Sequence, residues 1–202
     1  MGLKFTKSHG GFTFIELMVV MTIIGLLTII TLADYGLATN KARLQISAES
    51  LVSLLNAAKV DAQSNALQCV GVWVGEGRAP ERWAMPWNVD AARCDFSSSE
   101  VSRSLQWSSR VTFDSMLWES ISVTQTLVPH GDLKQVLFVF EPPEGILAVY
   151  DPDNLEKSLT EEGAYRVCMN FIYETSGDPV MEKAINVVPI TSSFDILGTC
   201  DV

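Results

Sequence analysis

The sequence predicts an α+β protein: one long N-terminal helix followed by a head of antiparallel β-sheet. Three observations predict it. Residues 12–33 read FTFIELMVVMTIIGLLTIITLA, an apolar run with a single charge, Glu16. Apolar and small residues then recur at helical steps from Leu44 to Ala66. From Gln68 the texture changes to short alternating runs separated by turn residues.

The apolar run has a helix's worth of reach. At 1.5 Å per residue it spans roughly 33 Å, against about 30 Å for a bilayer core. Apolar residues on every side of so long a helix point to a membrane span rather than to a buried core helix. A secretory signal fits less well. The run is too long, and Asp34-Tyr35-Gly36-Leu37-Ala38 makes a poor small-residue cleavage site.

The stretch before the run is short, polar and basic (Lys4, Lys7, His9) and ends in Gly10-Gly11, followed at once by Phe12. Gly11-Phe12-Thr13-Phe14-Ile15-Glu16, leading into LMVVMTIIGLL, resembles the processing and methylation signal of type IV prepilins and type II secretion pseudopilins. The resemblance implies a leader over residues 1–11, cut after Gly11 by a prepilin peptidase that also N-methylates Phe12. It implies a transmembrane and assembly half of the helix over 12–34 and an amphipathic half over 35–67. The globular β-rich head would occupy 68–202. Glu16 is the assembly residue of this pattern, paired with the terminal amine of an adjacent subunit. Charge physics agrees: a lone carboxylate in lipid costs about 2.5–3.5 kcal/mol and needs a partner. The run contains no cation, and cutting before Phe12 would create one.

Leu44, Ala48, Leu51, Leu55, Ala58, Ala62 and Ala66 form one stripe, so the helix is expected to continue from Thr13 to Leu67, about 80 Å in all. Gly25 and Gly36 are its soft points. Cys69–Val74 reads as a strand, followed by an irregular stretch through Trp83, Pro86 and Trp87 to Cys94. Ser97-Ser98-Ser99 reads as loop and residues 119–128 as an alternating strand. Val136–Phe140, the turn Pro142-Pro143-Glu144-Gly145 and Ile146–Tyr150 read as a hairpin. Tyr165–Tyr173 and Ala184–Ile190 read as later strands around a turn at Thr175–Pro179. A helix followed by many strands is also similar to the H-type minor pseudopilins.

Lys4 and Lys7 balance Lys41 and Arg43 across the apolar run, so the positive-inside count barely orients the chain. Cysteine usage and the resemblance favour an exported head in the periplasm. Cys69, Cys94, Cys168 and Cys200 allow three connectivities; pairing within each subregion favours Cys69–Cys94 and Cys168–Cys200.

The remaining chemistry is thin. The formal net charge is −10, with 14 Lys+Arg against 24 Asp+Glu, which disfavours binding to nucleic acid. With two His and no C-x-x-C pair, much zinc and triad chemistry is short of parts, so no enzyme, metal or cofactor is expected. His130, beside Gly131-Asp132, reads as a turn residue. Asp151–Glu162 is rich in oxygen ligands, but Leu155 and Glu156 stand where a calcium loop wants an oxygen donor and glycine, so a solvated acidic loop is expected. Five Trp (73, 83, 87, 107 and 118) suggest either an adhesive surface or packing, and packing is the commoner use.

The expected function is structural: a minor subunit of a type IV pilus or type II secretion pseudopilus. Its expected partners are other pilin or pseudopilin subunits, the prepilin peptidase, an inner-membrane assembly platform and the membrane. The competing reading is an exported binding domain or accessory enzyme on an uncleaved anchor, which would need neither Glu16 nor the Gly11-Phe12 junction.

Overall fold

The computed structural model describes residues 13–105, 107, 110–121, 127–156, 158–160, 164–173 and 181–200. The chain divides into two compact units, Met1–Asn40 and Lys41–Val202. The helix α1 (Phe14–Ser64) begins in the first and ends in the second. Within the first unit the large apolar side chains from Phe14 to Leu27 are exposed. The hydroxyls of Thr22 and Thr28 donate back to helix carbonyls, Thr22 to Met18 O and Val19 O, Thr28 to Ile24 O at 2.7 Å. Back-bonding of this kind lets a polar side chain sit in an apolar helix with its hydrogen satisfied. Among the described residues no helix is long and apolar enough to cross a membrane, and the side chains of residues 29–34 lie outside them.

The second unit is the α+β head. Its strands are β1 (Gln68–Gly75), β2 (Glu81–Asn88), β3 (Arg93–Cys94), β4 (Glu100–Ser104), β5 (Val111–Ile121), β6 (Leu127–Leu133), β7 (Gln135–Glu141), β8 (Ile146–Tyr150), β9 (Ala164–Tyr173), β10 (Met181–Val188) and β11 (Ser193–Leu197). They form two antiparallel sheets, ordered β3-β2-β1-β7-β8 with β4 also on β2, and β11-β10-β9-β5-β6.

Period-2 alternation assigns the faces. On β1, Val70, Val72 and Val74 enter the main core, while Cys69 and Trp73 point to the opposite face. On the second sheet Val167, Met169, Phe171 and Tyr173 of β9 enter the same main core, joined by Phe113 of β5 and Ile185 of β10. Leu44, Ala48, Leu51, Leu55, Ala58 and Ala62 of α1 complete it. The expected helical stripe is therefore buried as far as Ala62; Ala66 lies beyond the helix end and is exposed. Asp61 of α1 also pairs with Arg82 of β2 at 2.6 Å. The turn after β7 is fixed to the helix by Gln63, whose Nε2 donates to Glu144 O at 2.9 Å. Gly145 there has φ +70°, and an added Cβ would lie 2.8 Å from Gln63 Cγ, so glycine fits for two reasons.

Several expectations are corrected. The stretch read as irregular contains β2. Pro86 stands opposite Gln68, the first residue of β1, where a missing N–H costs the ladder little. Ser97-Ser98-Ser99 is largely a 3₁₀ turn (Phe96–Ser98) capped by Asp95. The strand read over 119–128 is the end of β5 and the start of β6; residues 122–126 lie outside the described ones. His130 is in β6 rather than a turn, and β6 is an edge strand, where Pro129 is tolerated. The turn read at 175–179 also lies outside the described residues.

Cys69 is bonded to Cys94, joining β1 to β3, and Cys168 is bonded to Cys200, joining β9 to the segment after β11. Cys200 N–H also donates to Asn170 Oδ1 at 3.3 Å. With sequence separations of 25 and 32 residues, each cross-link should contribute about 3.5 kcal/mol by the chain-entropy account. Replacing Cys168 and Cys200 together by Ser should therefore lower the urea midpoint of the full chain in detergent. An unchanged midpoint would show that the tail is not stabilised by its bond.

Candidate functional site

The described part of the N-terminal region opens with Thr13. Its carbonyl accepts the first helical bond, from Leu17 N–H at 3.3 Å, so Thr13 is the N-cap of α1. Glu16, three residues on, closes a reciprocal cap. Its Oε2 accepts from the Thr13 N–H at 3.0 Å and from the Thr13 hydroxyl at 3.0 Å. Thr13 Oγ1 in turn accepts from the Glu16 N–H at 3.3 Å. This is the capping box, readable in sequence as Thr-x-x-Glu ahead of an apolar run. Glu16 is thus a helix cap as well as a charge that needs a partner.

The arrangement has a chemical consequence. An acidic side chain in the first turn is favoured by the helix dipole, and here the carboxylate is folded back onto the Thr13 N–H. Gly11 and Phe12 themselves lie outside the described residues.

In the head the five Trp separate into two groups. Trp107 and Trp118 pack against the main core. Trp107 Nε1 donates to Val111 O at 2.6 Å, and its ring lies 5.6 Å from that of Phe171. Trp73, Trp83 and Trp87 meet on the opposite face of the first sheet, around a small second core of Cys69, Met85, Cys94, Leu137, Val139, Ala148 and Tyr150. All five are thus engaged in packing, and Arg78 also lies over Trp73, 5.9 Å from the ring centre.

The second core carries a polar rim. Asp95 caps the 3₁₀ turn: its Oδ1 accepts from Ser97 Oγ at 2.6 Å and from Ser97 N–H at 3.0 Å. Those two bonds, the hydroxyl's first, hold the Asp95 carboxyl below the usual carboxylate range. On the second sheet Arg166 joins two strands, donating from Nε to Asn186 at 2.8 Å with Glu119 at 3.6 Å from Nη1. Among the described residues no group of His, Cys, Asp or Glu is placed to hold a metal ion; Glu161 and Glu162 of the acidic stretch lie outside them.

Comparison with known proteins adds one finding. Residues 6–32 match the family described as the prokaryotic N-terminal methylation motif. No curated protein matches the chain, and no solved structure does. The match brackets the Gly11-Phe12 junction, the Thr13–Glu16 cap and most of the apolar run: the chain carries the N-terminal signature of the type IV pilins and pseudopilins.

Proposed function

We propose that this chain is a structural subunit of a type IV pilus or type II secretion pseudopilus. In this reading a prepilin peptidase cuts after Gly11 and N-methylates Phe12. Residues 12–34 hold the subunit in the inner membrane with the head in the periplasm. Lateral packing of the apolar helix then draws it into a filament on the assembly platform.

One observation carries the reading: the reciprocal cap between Thr13 and Glu16, at the start of an exposed apolar helix and inside the methylation motif. Cutting before Phe12 puts a cationic amine one residue upstream of the N–H that Glu16 already accepts. The carboxylate is then positioned for that amine in its own chain, or for an equivalent amine of a neighbour. Either pairing offsets the cost of a charge in lipid. The finer assignment, a minor subunit of the H type, is supported by the order of elements, the long α1 followed by strands in two sheets.

The test is Gly11→Val in a cell that assembles such filaments. The variant should stay at full length in the membrane and be missing from material sheared off the cells. A Gly11→Val chain that is shortened and sheared like the wild type would overturn the reading.

A further inference from the structure

The two disulfides stand in different surroundings. Cys69 and Cys94 are 0% and 2% exposed and belong to the second core, with Met85, Leu137 and Tyr150. Cys168 lies on the outer face of the second sheet, since Val167 and Met169 on either side of it enter the main core. Among the described residues neither Cys168 nor Cys200 belongs to a core, and Cys200 is half-buried.

The chain reaches Cys200 by crossing that outer face. Leu197 of β11, Ala184 of β10 and Asn170 of β9 stand directly opposite one another, in a row across three strands. The chain leaves this row at Leu197 and returns above its other end at Cys200. There the Cys200 N–H donates to Asn170 Oδ1 at 3.3 Å and its sulfur joins Cys168. Strands two apart are separated by about 10 Å, and three residues span at most about 10 Å. Gly198–Cys200 therefore has no slack to go round Ala184 and passes over it. Ala184 is 0% exposed although it lies outside both cores, as a small residue beneath a crossing chain would be.

We propose that Gly198–Cys200 is a strap that a dithiol opens selectively, through thiol–disulfide exchange at Cys200, while the Cys69–Cys94 bond stays closed. A thiolate of the dithiol attacks the Cys200 sulfur, the less covered of the pair, Cys168 being 5% exposed. The Cys168–Cys200 bond breaks, a mixed disulfide forms on Cys200, and Cys168 leaves as a thiolate that takes up a proton. The second thiol of the reagent then loses its proton and displaces Cys200, also as a thiolate, closing the reagent's own disulfide. Two electrons pass from the dithiol to the protein. The opened strap lifts and uncovers Ala184 and Cys168, and both cores keep their packing. The device belongs to the head alone and does not rest on the filament reading.

The experiment treats the folded full chain in non-ionic detergent with dithiothreitol, traps free thiols with N-ethylmaleimide and locates them by peptide mass. Cys168 and Cys200 should be labelled at least about tenfold faster than Cys69 and Cys94, because access to the sulfur limits exchange. The far-UV circular dichroism of the opened chain should be unchanged. Ala184→Leu puts a bulky side chain under the strap and should speed its opening about tenfold, the scale of one overpacked site, with Cys69–Cys94 unaffected. If Ala184→Leu fails to fold, the comparison of the two bonds in the wild type still decides the matter. Equal rates at the two bonds, faster opening of Cys69–Cys94, or loss of the head's fold on opening would overturn the proposal. So would a folded Ala184→Leu chain whose Cys168–Cys200 bond opens at the wild-type rate.

Discussion

Glu16→Gln yields a chain that reaches the membrane and is shortened normally, yet is depleted at least about tenfold from sheared filaments, the scale of one lost charge-assisted contact. The choice of glutamine separates the two roles of this side chain. Gln at the third helical position still completes a capping box with Thr13, so the start of α1 is preserved. What it removes is the negative charge that would meet a Phe12 amine. Glu16→Val removes cap and charge together and should fare no better, although it makes the apolar helix easier to insert. Immunoblots of membrane and sheared fractions measure both. If Glu16→Gln assembles as well as the wild type while Glu16→Val does not, Glu16 serves the chain only as a helix cap.

The largest expected loss of stability is at Phe138. It is 0% exposed, on β7 between β1 and β8, in the core that Leu51 and Leu55 of α1 also enter. Truncating a buried Phe removes its transfer energy and leaves a cavity that closely packed neighbours cannot fill, so Phe138→Ala should cost about 3–5 kcal/mol. That is a large part of the roughly 5–15 kcal/mol that holds a domain folded. Ile146→Ala, 57% exposed on the adjoining β8, should stay within about 0.5 kcal/mol. Urea unfolding of the full chain in detergent compares the two. A Phe138→Ala midpoint close to that of Ile146→Ala would contradict the assignment of the core.

The helix was the most legible element because two independent patterns mark it. An unbroken apolar run announces the first half, and a stripe at steps of three and four announces the second, buried from Leu44 to Ala62. The hairpin of β7 and β8 was legible from alternation around Pro142-Pro143-Glu144-Gly145. Elsewhere local chemistry misled. Pro86 and the neighbouring Trp residues made β2 look irregular, and Gly131-Asp132 made His130 of β6 look like a turn residue. Both strands sit where tertiary pairing tolerates a proline, at a ladder end and at a sheet edge, and neither condition is local to the sequence. β4 and β11 are short, with little alternation to read. The role of Trp73, Trp83 and Trp87 depended on which sheet face they shared, and that required the pairing of β1 with β2. At the N-terminus the Thr13–Glu16 cap is legible as Thr-x-x-Glu, a signal local to four residues.

Processing at the Gly11-Phe12 junction followed by assembly is read from the mass of the N-terminal peptide, taken from both the membrane and the sheared-filament fractions of cells that make the protein. A peptide beginning with N-methyl-Phe12 is expected in the sheared material. A peptide still beginning at Met1, or one beginning beyond Ala33, would contradict it.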